Sequence, residues 1–239
     1  MLFALAAAGW WWTAARMHGM DGGPWTALGS LGFFLTVWLV MMGAMMLPSV
    51  APTVALYVRM SGERRAAPFL FSGGYLLTWG AGGLVAFGLA LAGSRIDGGV
   101  LAWDRAGRWG AGVTLLVAAA YELTPLKDAC LGKCRSPLGF LLSSWRGGNR
   151  GALRMGAVHG AWCVGCCWAL MASLFALGIM SVGWMAFVAA LIAAEKIVPW
   201  RRAAVWGASG VLFVLGVLML AAPHAIPGLT IPGGGMGMG

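Results

Sequence analysis

MGAVHGAWCVGCCWALMASLFALGI occupies residues 155–179. The stretch contains no Asp, Glu, Lys or Arg, and as an α-helix it is long enough to cross the roughly 30 Å hydrocarbon layer of a bilayer. Only His159, Cys163, Cys166 and Cys167 interrupt it with chemistry. Outward from this stretch, six further apolar runs lie at 1–15, 28–57, 69–93, 109–130, 182–198 and 203–222. The pattern predicts an all-α fold, a polytopic transmembrane helix bundle of about seven spans. The first run is short for a full span. The second is over-long and holds Pro48 and Pro52, which predicts a kinked helix.

On this reading residues 1–222 form a single transmembrane helical domain and 223–239 a flexible Gly/Pro/Met tail. The composition agrees: 60% of the 239 residues are hydrophobic and 10% charged, where a soluble domain carries about a quarter charged residues. The net charge of +9 does not indicate nucleic acid, because the basic residues sit in short segments between apolar runs, where they set topology and meet phospholipid. Twelve of the sixteen Lys and Arg lie at or after the ends of the second, fourth and sixth runs, among them Arg59, Lys127, Lys133, Arg135, Arg146, Arg150, Arg154, Lys196 and Arg201. That asymmetry places those segments on the cytoplasmic side, with the N-terminus inside and the C-terminus outside. The expected location is the cell inner membrane, multi-pass.

The chemistry is concentrated in three runs. At 100° per residue His159, Cys163, Cys166 and Cys167 fall within an arc of about 100°, so one helix shows four soft-metal donors to one neighbour. A single buried cysteine is ordinarily a small packing residue; three with a histidine on one stripe point to a metal. The fourth run supplies Cys130 and Cys134, one turn apart, and Glu122, an ionisable group in an apolar setting that requires a partner or a polar cavity. Lys127 and a bound cation are its candidate partners. The second run supplies Met42, Met45 and Met46 at i, i+3, i+4. Met stripes commonly fill cores, yet thioethers also favour monovalent copper. Glu195 and Lys196 read as an interfacial ion pair. Five cysteines exclude a complete disulfide framework, and thiolates in a low-dielectric site need a compensating cation. Metal is therefore the economical explanation of the cluster.

The strings MMGAMMLPS (41–49), YELTPLKDACLGKCRSP (121–137), HGAWCVGCCWALM (159–171) and AAEKIVPW (193–200) resemble a bacterial family of predicted metal-binding integral membrane proteins. The resemblance runs from about Trp38 to Trp200. Its motifs fall on Met45, Met46 and Pro48, on Pro125, Lys127, Cys130 and Cys134, on His159, Cys163, Cys166 and Cys167, and on Glu195 and Lys196. It implies metal binding by a multi-span protein. It also implies Gln in many members where this chain has Glu122, which argues against a fixed anionic ligand at that position.

The leading expectation is a membrane protein that handles copper, by binding, transfer or transport, through an intramembrane Cys/His/Met site. Copper ion is the expected metal and zinc the second choice. The alternatives are a membrane metalloenzyme, a thiol- or quinone-linked oxidoreductase that uses Cys163 and Cys166 as a CxxC pair, and a structural subunit whose cysteines only pack. Expected partners are the lipid bilayer and either a metal-donor or acceptor protein or a larger membrane complex. No GxxxxGK[ST] motif occurs, so transport driven by ATP bound to this chain is not expected.

Overall fold

A computed structural model describes residues 2–17, 30–62, 66–96, 108–177 and 181–222. The tail expected at 223–239, with His224, Met236 and Met238, lies outside the described residues. Among the described residues the chain is all-helical. The helices are α1 (Leu2–Met17), α2 (Leu31–Met60), α3 (Ala67–Ile96), α4 (Arg108–Glu122), α5 (Pro125–Arg135), α6 (Pro137–Ser144), α7 (Gly148–Leu177), α8 (Val182–Ile197) and α9 (Arg201–Ala221). By length and composition α2, α3, α7 and α9 are long and apolar enough to cross a membrane. Leu77, Val85 and Leu89 on α3 and Phe213 and Val217 on α9 are exposed, a surface suited to hydrocarbon.

The helices divide between two compact units, of which the first comprises Met1–Ala15, Gly29–Phe87 and Pro125–Cys167. Its α2 is capped by Ser30, whose hydroxyl accepts from the Phe33 N–H at 3.3 Å. The helix runs unbroken through Pro48 and Pro52. Each proline removes one backbone donor, and the Ser49 hydroxyl donates to the Met46 carbonyl at 2.8 Å in this region. The chain leaves α2 through Gly62, whose φ of 74° lies in the region open chiefly to glycine. Trp38 ties α2 to α3 by donating its indole N–H to the Trp79 carbonyl at 2.8 Å.

Glycine brings α3 and α7 into backbone contact. A Cβ on Gly74 would overlap the Leu153 carbonyl, and one on Gly156 would overlap the Phe71 carbonyl. One turn on, Gly160 faces Thr78, whose hydroxyl lies 3.0 Å from the Ala157 carbonyl. Gly156 and Gly160 are thus a small-xxx-small pair that lets two backbones approach closely.

The second unit comprises Arg16–Leu28, Gly88–Thr124 and Trp168–Gly239. Within it α4 packs on α9 through stripes at helical spacing: Ala111, Gly112, Leu115, Ala118, Ala119 and Glu122 on one side, Ala208, Ser209, Leu212, Gly216 and Met219 on the other. Gly112 and Gly216 face each other and make room for the Leu220 and Leu116 side chains, and Ser209 donates to the Ala119 carbonyl at 2.8 Å.

Two boundaries differ from the apolar runs. The run at 109–130 is two helices, because Pro125 cannot donate to the carbonyl four residues back. α4 closes with Leu123 and Thr124 N–H groups bonding three residues back, to Ala120 and Tyr121, and Pro125 begins α5. The second difference is α6, an eight-residue helix with Pro137 in its first turn and Phe140 and Leu141 buried. It is too short to show a periodic pattern and lies among basic residues that read as a loop.

Candidate metal centre

The centre is built on α5 and α7 of the first unit. On α5 the residues Lys127, Cys130, Leu131 and Cys134 are buried, spaced i, i+3, i+4, i+7, so one stripe carries both thiols. Leu126, Asp128 and Lys133 on the other face are exposed. On α7 the glycine at 165 makes room for α5: a Cβ there would stand 2.7 Å from the Cys130 Sγ. A larger residue would displace the Cys130 thiol from its place against α7.

The Sγ atoms of Cys163, Cys166 and Cys167 all lie within 4.8 Å of one another, and all three residues are buried. Cys163 and Cys167 sulfurs are 4.0 Å apart. The Cys166 thiol reaches across to the Cys134 sulfur of α5 at 3.7 Å. Both Cys166 and Cys167 also donate to the Cys163 carbonyl, at 3.2 and 2.9 Å, which turns their sulfurs toward the same point. All five cysteines are present as buried thiols.

These spacings suit one ion. With metal–sulfur bonds of about 2.3 Å, two sulfurs on the same metal stand about 3.8 Å apart in a tetrahedron and about 4.6 Å apart in a line. The observed 3.7 and 4.0 Å separations reach that range with shifts of a few tenths of an ångström. Soft sulfur donors select Cu(I) and Zn(II) over hard cations.

Tyr75 joins the centre from α3. Its hydroxyl is hydrogen-bonded to the Cys163 sulfur at 3.0 Å, and the residue is fully buried. Nothing in the sequence singled it out. The available signal was that a buried tyrosine hydroxyl in an apolar run needs a partner, but the partner is 88 residues away. On the expectation of a copper site, replacing Tyr75 with Phe should weaken Cu(I) binding by about tenfold, the lower end for losing a hydrogen bond to a ligand, with stoichiometry unchanged. Competition against a chromogenic Cu(I) chelator measures it; unaltered affinity would show the hydroxyl to be uncoupled from the metal.

His159 lies one turn before Cys163 and is buried among rings: Phe140 at 4.9 Å between centroids, Phe71 at 6.1 Å and Tyr75 at 6.2 Å. Phe140 belongs to α6, so the short helix that periodicity did not reveal forms one wall of the imidazole pocket. Met42, Met45 and Met46 are buried on α2 of the same unit, beside Met41. Glu122 is buried at the end of α4 in the second unit, and Glu195 is buried on α8 of that unit. The sulfur group itself comes from Cys163, Cys166 and Cys167, with Cys134 alongside.

Comparison with curated proteins gives no match, and neither does comparison with solved structures. A family model, PpoB2, described as copper chaperone, matches residues 35–219. The matched region contains α5, α6 and the sulfur-bearing part of α7. The chain belongs to the PpoB2 copper chaperone family.

Proposed function

We propose that this chain is an integral membrane copper chaperone that accepts Cu(I) on Cys163, Cys166 and Cys167, with Cys134 as a further sulfur, and passes it to another protein. The observation that carries the reading is the group of three buried thiols within 4.8 Å of one another. Family membership favours copper over zinc among the soft ions this donor set accepts. A site of closely spaced sulfurs suits a carrier, because Cu(I) exchanges between thiolates one bond at a time without leaving coordination. His159 and the α2 methionines are supplementary donors in this reading. The side that receives the ion is cytoplasmic, from the basic residues around α5 and α6.

The test is metal content in lipid discs after anaerobic loading. The expected result is about one copper per chain, with an X-ray absorption sulfur shell at about 2.3 Å, the length of a metal–thiolate bond. Protein that takes no metal, or takes zinc alone, overturns the reading.

A further inference from the structure

A cavity of about 480 Å³ opens between the end of α6 and the first half of α7, walled in part by Ser143, Ser144, Arg146, Arg154, Met155 and Val158. Its volume is that of a small-ligand pocket. Nothing in the sulfur centre requires it. Its inner wall is Met155, which is only 1% exposed. From Met155 the face of α7 continues at four-residue intervals through His159 to Cys163, each step rising about 6 Å along the helix. A thioether, an imidazole and a thiol, all at most 2% exposed, therefore form a row from the cavity wall to the three sulfurs.

The turn that holds the cavity is fixed in place. The Arg146 N–H donates to the Met155 sulfur at 3.3 Å, and the Tyr57 hydroxyl donates to the Arg146 carbonyl at 3.2 Å. Beyond Met155, Phe140 and Phe71 line the imidazole, a sleeve of rings that keeps water from a soft ion.

We propose that this cavity is the port through which Cu(I) enters the protein, with Met155 as its first ligand and His159 as its second on the way to Cys163. The inference rests on the copper reading above. The exposed guanidinium groups of Arg146 and Arg154 repel a bare cation and attract an anion. The cargo therefore arrives as an anionic complex, Cu(I) held by the thiolates of a small carboxylated thiol. Copper stays monovalent throughout. One donor thiolate–copper bond breaks as the Met155 thioether–copper bond forms, and the second breaks as the His159 imidazole binds; the Met155 bond and then the imidazole bond break as the ion passes to the Cys163 sulfur. The proton that Cys163 gives up is taken by one departing donor thiolate and the other leaves as the anion, so charge is conserved.

The experiment follows the rise of thiolate–copper absorbance when the full chain in lipid discs is mixed with the Cu(I)–glutathione complex. Met155→Leu removes the first ligand, Val158→Trp fills the port, and Arg154→Glu reverses charge at its rim. Each should slow loading on the order of tenfold, with the final copper content that of wild type. Loading by Met155→Leu and Val158→Trp at the wild-type rate overturns the port. A loss of final content in step with rate also overturns it, since these residues would then belong to the storage site or to the fold. A wild-type chain that never loads refutes the copper reading instead, so the two failures are distinct.

Discussion

Cys166→Ser leaves the chain helical and stops it from retaining copper against a chelator. Cys166 is the thiol that belongs to the group of three and also contacts Cys134, at 3.7 Å, so its loss opens the link between α7 and α5. Structural zinc sites of four Cys and His ligands bind their ion with about 10–16 kcal/mol, or about 3 kcal/mol per ligand, a scale carried over here to the sulfur site. One sulfur removed should thus weaken binding on the order of 100-fold, as about 1.4 kcal/mol is tenfold. Serine differs from cysteine by one atom and keeps a hydroxyl able to donate to the Cys163 carbonyl, so folding is spared. Chelator competition reads the affinity and circular dichroism the helicity. Wild-type affinity in this variant would remove Cys166 from the metal site.

Gly74→Ala and Gly73→Ala should differ in sign although the residues are adjacent. A methyl on Gly74 overlaps the Leu153 carbonyl of α7, whereas one on Gly73 meets nothing within 4 Å. At 74 the obstacle is backbone, which has no rotamer to give, so α3 must move away from α7. The expected loss is about 3 kcal/mol, the upper end for overpacking. At 73 the substitution replaces glycine in a helix and should be neutral or stabilise by up to about 1 kcal/mol. Thermal unfolding in detergent compares them. Because Tyr75 rides on the displaced helix, Gly74→Ala should also loosen copper binding; equal stability of the two variants would mean that α3 and α7 do not touch at this point.

Much of this architecture could be read along the chain. Each expected apolar run contains a helix, because a long run of side chains that water excludes satisfies its own backbone hydrogen bonds most simply as a helix. The sulfur stripe was legible for a related reason: the 3.6-residue turn of a helix puts positions 163, 166 and 167 side by side without knowledge of any neighbour. What was not legible depends on distant partners. Tyr75 owes its role to Cys163, Gly165 to Cys130, and Phe140 to His159; none of these pairs is local. The break after Glu122 sits between the two, since Pro125 was visible but its consequence depended on whether the hydrogen-bond gap would be bridged.

α7 has thirty residues, about 45 Å of helix, and Cys163 stands at its midpoint. For a helix centred on the membrane this is the depth at which net charge is least tolerated. A singly charged ion beside one ionised sulfur is electrically neutral there, and the remaining sulfurs can bind it as uncharged donors. A doubly charged ion reaches neutrality only if two sulfurs ionise. In a helix so placed, depth alone would act as a valence filter, separating monovalent from divalent metals before any difference in ligand preference is felt.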